Sequence, residues 1–170
     1  CFHFEYSIVP LRGKFSYDTS DLVVRQINNG EYMRVCGVEI KGSDAIVVVI
    51  DGTKDDFEII DTGVQKIKLG DSNESEDVKI FNEKFHLFVR NNNINKIGIK
   101  KRNTKGRFAG GAASFKIEGI IQLSKDSIVE LIAPVSISST IKKLPPPSAN
   151  QLFEYQKGSY ETAYVFLAAL

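Results

Sequence analysis

The stretch Val35–Ile50, VCGVEIKGSDAIVVVI, constrains the fold more than any other part of the chain. Two runs of strand-forming residues flank Gly42-Ser43-Asp44, whose turn chemistry specifies a hairpin. The second run, Ala-Ile-Val-Val-Val-Ile at 45–50, is apolar at every position, so neither face of that strand suits water. Such a hairpin belongs inside a sheet with helices over both faces. One residue fits this burial poorly. Glu39 shares a strand face with Val35, Gly37 and Lys41, and a buried carboxylate needs a cation or hydrogen-bond donors. A salt bridge to Lys41, Lys101 or Arg102 would satisfy it, and so would a metal ion.

The rest of the chain supplies the covering elements. Arg34–Lys41 and Ala45–Asp51 form the hairpin, and Phe57–Asp61 follows a turn at Asp51-Gly52 as a third antiparallel strand. The Ser72–Asp77 segment opens a helix, its acids suiting the positive end of the dipole. Val78, Phe81, Phe85, Phe88 and Val89 then recur at helical spacing as far as Asn91-Asn92-Asn93. Ile94–Lys101 is a fourth strand, Ala109–Ser124 a second helix and Ser127–Ala133 a fifth strand. Pro134 begins a short helix to Lys143, Leu144-Pro-Pro-Pro147 is extended, and Ser159 caps a last helix over Tyr160–Leu170. The order β-β-β-α-β-α-β-α-α predicts an α/β fold: a mixed five-stranded sheet, three antiparallel strands then β-α units, with helices on both faces.

Composition narrows the function classes. With 42% hydrophobic and 25% charged residues in 170, the chain suits one globular domain. No apolar run approaches the roughly 20 residues of a membrane helix, and no stretch shows a secretory signal pattern. Cys1 and Cys36 make neither a metal spacing nor a disulfide framework, which predicts a reducing cytoplasm; His3 and His86 are too few for a histidine-rich zinc site. Residues 44–83 hold eleven acids against four bases, whereas residues 84–117 hold nine bases and no acid. The second stretch predicts a basic, anion-facing surface.

The only methionine is Met33, and the strand pattern begins directly after it. Gly30-Glu31, just upstream, is encodable by a purine-rich ribosome-binding sequence. The expectation is that residues 1–32 are a translated leader or poorly ordered arm and that residues 33–170 form the single domain.

Two places carry candidate chemistry. One is Glu39. The other is KKRNTKGRFAGGAASFK at 100–116, which follows a strand and opens a helix. Lys101, Arg102, Lys105 and Arg107 bracket Gly106, Gly110 and Gly111, and backbone N–H groups at a helix start join them as parts of a phosphate site. The spacing is not that of a Walker A loop. Cys36 in mid-strand reads as a small buried hydrophobe, and no serine sits in a nucleophile elbow.

The element order resembles the ribonuclease H-like fold shared by RuvC-type junction resolvases. CGVEIKG at 36–42 looks like the first strand of that fold, with Glu39 in the place of a metal-binding carboxylate. YETAYVFLAAL at 160–170 is similar to the final resolvase helix, where Glu161 matches one acid and Tyr164 replaces another. MRVCGVEIKGSDAI, TKGRFAGGAASFKIEG and ETAYVF together resemble a small uncharacterised family of bacterial proteins classed as a domain of unknown function. The resolvase resemblance implies Mg²⁺ or Mn²⁺ held by Glu39 and Glu161, and nucleic acid as partner. One departure stands out: near the end of the fourth strand, where resolvases place a second catalytic acid, this chain reads Ile99-Lys100-Lys101-Arg102. Two divalent ions need several converging carboxylates. The leading expectation is therefore a non-catalytic or weakly catalytic binder of structured nucleic acid. The alternatives are a metal-dependent nuclease or phosphodiesterase using Glu39 and Glu161, and a protein-protein adaptor.

Overall fold

The computed structural model describes residues 33–103 and 110–169. The expected leader at 1–32 lies outside the described residues. Six strands form one mixed sheet: β1 (Met33–Lys41), β2 (Asp44–Gly52), β3 (Phe57–Ile60), β4 (Lys66–Lys68), β5 (Lys96–Lys100) and β6 (Ile128–Ile132). Their order is β3-β2-β1-β5-β6, with β4 pairing beside β3 on the same edge of β2. β2 runs antiparallel to β1, β3 and β4, whereas β1, β5 and β6 run parallel to one another. Among the described residues four helices cover it: α1 (Ser75–Asn91), α2 (Ala112–Gln122), α3 (Pro134–Lys143) and α4 (Lys157–Ala168).

The central hairpin closes through Gly42, whose φ of 61° opens the tight turn that returns Lys41 to Asp44. The expected five strands become six because of β4. Lys66, Ile67, Lys68 and Leu69 alternate exposed and buried, and the side chains of Ile67 and Leu69 enter the core. That period-2 signal is only two cycles long, too short to outweigh the surrounding turn residues.

Alternation along β1 and β2 divides the core in two. Cys36, Val38, Ile40, Ala45, Val47 and Val49 face α1 and α2, where Phe81, Phe85 and Phe88 fill the space. Met33, Val35, Val48 and Ile50 face α4, against Tyr160, Ala163, Phe166 and Leu167. α1 is held by that phenylalanine stripe, with Glu76 and Asp77 in its first turn and Arg90 in its last, matching the dipole. It ends where Asn93 takes φ 49°, a left-handed conformation asparagine tolerates.

α4 lies unusually close to the sheet. Gly37 of β1 and Gly98 of β5 are register partners and both face it. A Cβ on Gly37 would meet the backbone of Ser159 and Ala163, and one on Gly98 would press on Phe166. The glycine pair forms a trough that the helix occupies. Ser159 is not the helix cap expected from its position. A 3₁₀ turn at Glu154–Gln156 runs directly into α4, so Ser159 lies inside the helix.

Candidate nucleic-acid interface

β1, β5 and β6 are parallel, so their carboxyl ends share one edge of the sheet. Ligands of open α/β sheets bind in the crevice outside such an edge. The chain after β5 leads into α2, the chain after β6 leads into α3, and the first turn of α4 packs on the end of β1. Three helix N-termini, each with a partial positive charge, therefore lie toward this edge.

Glu39 sits at its centre. Its side chain is 13% exposed, and both oxygens are engaged: Lys100 Nζ is 2.7 Å from Oε1 and Lys41 Nζ 3.1 Å from Oε2. Burial pushes the Glu39 carboxyl up, but hydrogen bonds and charge from Lys100 and Lys41 outweigh it and hold the group below its ordinary value. Lys41 fulfils the salt bridge expected from the sequence. The second partner is Lys100 rather than Lys101 or Arg102, and strand parity explains why. Gly98 faces α4 alongside Gly37, so the residue two further along β5 falls on the same face as Glu39.

Ser159 fixes the backbone beneath this carboxylate. Glu39 and Ile46 are register partners in β1 and β2. The Ser159 hydroxyl accepts from the Glu39 N–H at 3.2 Å and donates to the Ile46 carbonyl at 2.8 Å, bridging the two strands from above. Sequence reasoning missed this role, because it depends on the close approach that Gly37 permits.

A shallow cavity of about 140 Å³ beside Glu39 is lined by Lys100, Lys101, Arg102, Asn103 and Pro134. Lys101 is exposed, and its backbone N–H donates to the Ile132 carbonyl at 2.9 Å. Arg102 bends back so that its guanidinium donates to the Ile40 carbonyl, while its Nε is buried without a partner among the described residues. Gly110 N–H donates to the Asn103 carbonyl at 2.9 Å, which closes the loop between β5 and α2. Gly111 then caps α2 in an extended conformation. Lys105, Gly106 and Arg107 lie outside the described residues.

Among the described residues, the bases of the 84–117 stretch do not form one surface. Arg90 pairs with Asp126 at 3.7 Å, Lys96 lies over the Phe166 ring, and Lys116 donates to the Ser72 carbonyl. Lys96 opens β5, at the opposite end of that strand from Lys100. Among the described residues, Lys41, Lys100, Lys101 and Arg102 stand around the carboxylate of Glu39 at the carboxyl edge, an excess of three positive charges over that acid.

Glu161 is not brought into this cavity. It borders a separate hollow with Pro147, Asn150, Lys157 and Tyr160. The α4 residue that meets the Glu39 carboxylate is Gly158, where a Cβ would overlap it. The donor set around Glu39 therefore does not suit a divalent ion. Mg²⁺ and Mn²⁺ take several oxygen ligands, whereas Glu39 meets two ammonium groups and a glycine. Among the described residues no group of three or more His, Cys, Asp or Glu side chains is placed to hold a metal.

Other candidates resolve into structural roles. Cys36 is fully buried, and burial pushes its thiol far up, so it stays neutral and unreactive. His86 is half-buried, with Nδ1 2.8 Å from the Asn82 carbonyl one turn earlier. Glu118 is half-buried, with Oε2 shielded. Among the described residues no helix is long and apolar enough to cross a membrane.

A family model described as "Protein of unknown function (DUF3010)" matches residues 33–166. No curated protein matches the chain. Among solved structures, Thermus thermophilus RuvC aligns with a TM-score of 0.62 at 9% identity, covering 81% of this chain and 95% of that one. T. thermophilus RuvC in complex with Holliday junction substrate gives a TM-score of 0.59 at 10% identity, covering 81% and 94%. The yeast mitochondrial Holliday junction resolvase Ydc2 gives 0.52 at 10% identity, covering 89% and 85%. The fold is that of the RuvC-like, ribonuclease H-like proteins.

Proposed function

The chain belongs to the family of unknown function (DUF3010) whose model matches residues 33–166, and we propose that it binds structured nucleic acid without cleaving it, through the carboxyl edge of its parallel strands and the 100–116 strand-loop-helix. The observation that carries this reading is the Glu39–Lys100–Lys41 cluster. An ammonium group sits against the carboxylate where cleavage chemistry would call for a metal ion, and Lys101 stands exposed beside it. Lys105 and Arg107 extend the same basic segment, and Gly106, Gly110 and Gly111 let backbone N–H groups approach a phosphate. The fold neighbours that act on Holliday junctions supply the class of partner. A nucleic-acid role, together with the free buried thiol of Cys36, suits a cytoplasmic protein.

Binding to labelled junction, duplex and single-stranded probes as a function of salt tests the proposal. Lys101→Ala, Lys105→Ala and Arg107→Ala should each weaken binding across sequences and reduce the salt slope by about one. Absence of binding to every probe at low salt would overturn it. Cleavage that requires Mg²⁺ or Mn²⁺ and disappears in Glu39→Gln would overturn its non-catalytic half.

A further inference from the structure

A pair of aromatic side chains beside the cationic edge stands outside the hydrophobic core clusters. Phe153 and Tyr155 are 57% and 38% exposed, and no other aromatic side chain among the described residues is so open. Their rings stack nearly parallel, 5.5 Å apart at 5°. Two aromatics held face to face in solvent leave outer π-faces free, and leaving them unburied forgoes hydrophobic stabilisation.

Their position relates them to the basic edge. Lys41, one of the two Glu39 partners, donates to the Tyr155 carbonyl at 3.4 Å. On the other side Phe153 forms a wall of the hollow that also holds Pro147, Asn150, Lys157 and Glu161, a cavity of about 290 Å³. Tyr160 closes its floor by donating to the Pro147 carbonyl at 3.0 Å. A flat aromatic surface, a neighbouring concave site and adjacent ammonium groups match the two halves of a nucleotide.

We infer that the Phe153–Tyr155 pair is a stacking platform for an unpaired nucleobase, whose flanking phosphates run across Lys41, Lys100 and Lys101. This rests on the nucleic-acid reading above and deepens it. The preferred ligand is a nucleic acid with bases outside a duplex, at a tail, gap or branch, rather than a continuous duplex. Stacking recognises any base, so it selects structure more than sequence. The Pro145–Pro147 segment stiffens the far wall of the hollow, and Lys157 lies on its rim.

The experiment uses two DNA probes of equal charge. One is a blunt duplex, and the other is a duplex with a single-stranded tail carrying 2-aminopurine, whose fluorescence falls when it stacks. The protein should quench the 2-aminopurine and bind the tailed probe more tightly than the blunt one. Phe153→Leu and Tyr155→Leu keep apolar bulk but remove the π-face. Each should abolish the quench and weaken tailed-probe binding about tenfold, with blunt-duplex binding and thermal midpoint unchanged. Salt-dependent binding without quenching, or equal affinity for both probes, would overturn the platform while leaving the basic edge intact. Loss of both binding modes in the leucine variants would also overturn it, because a stacking role cannot affect the blunt duplex. Failure of the lysine and arginine substitutions to affect either probe would instead remove the underlying nucleic-acid reading.

Discussion

The two faces of the sheet are built on opposite terms. Toward α1 and α2 the gap is filled by large side chains, with Phe81, Phe85, Ile117 and Ile121 fully buried and no charge among them. Toward α4 the gap is removed: Gly37 and Gly98 bring helix and strand backbones together, and polar groups enter the interface. Ser159 and Thr162 are fully buried there, and each donates to a backbone carbonyl, Ser159 to Ile46 and Thr162 to Gly158. The first face supplies stability through area and tolerates exchange among apolar residues. The second fixes positions to within an ångström or so, and it is the face on which Glu39 and its lysines stand. Precision at the cationic edge follows from close backbone contact.

Substitutions should expose this contrast. The largest effect is expected at Gly37, where a single added methyl meets helix backbone that cannot rotate away. Gly37→Ala should destabilise by about 3 kcal/mol, whereas Phe85→Leu on the other face should cost only about 1 kcal/mol. Denaturant unfolding of both variants measures the pair, and a milder Gly37→Ala would break the comparison.

Ser159→Ala comes next. It removes the bridge between Glu39 N–H and the Ile46 carbonyl inside a buried interface, at an expected cost of about 2 kcal/mol. The same variant should weaken nucleic-acid binding, since the strand carrying Glu39 loses its overhead anchor. Unchanged stability together with unchanged binding would mean that the hydroxyl positions nothing.

A change in stability no larger than that of Phe85→Leu is expected from Glu39→Gln, about 1 kcal/mol at neutral pH, because both lysine partners are partly solvated. Its sign with pH is defined. The Glu39 carboxyl lies below its ordinary value of 4.5 in the folded protein. Its stabilising contribution is thus complete above that value and is lost as pH falls through the lower, folded one. Thermal unfolding of the wild type should show this acid-side loss, and Glu39→Gln should flatten it.

Most of the architecture could be read from periodicity. The phenylalanine stripe of α1 and the uninterrupted apolar run of β2 have one structural solution each, and both stand where spacing places them. Glu39 was conspicuous for the same reason, as an acid in an apolar frame. Its partners were harder to read. Lys41 follows from neighbourhood on one strand, but Lys100 requires the parallel register of β1 with β5, which no local pattern encodes. Glu161, expected beside Glu39, lines a separate hollow from the cavity at Glu39. α4 begins at Lys157 through a 3₁₀ turn rather than after a Ser159 cap, and its sheet-facing stripe runs through Ser159, Ala163 and Phe166. Serine in a first turn ordinarily signals a cap, so its use as a wedge between strands was invisible to propensity.

Gln156 brings a last consequence. Its side chain is buried at the gap between β3 and β4, where its amide nitrogen donates to the Val47 carbonyl at 3.3 Å and its amide oxygen accepts from the Phe153 N–H at 3.2 Å. One amide thus stands in for a missing piece of strand and tethers the segment bearing the exposed rings to the middle of the sheet. The entropy of ordering that segment is therefore surrendered during folding, so an arriving base would meet a surface already at rest.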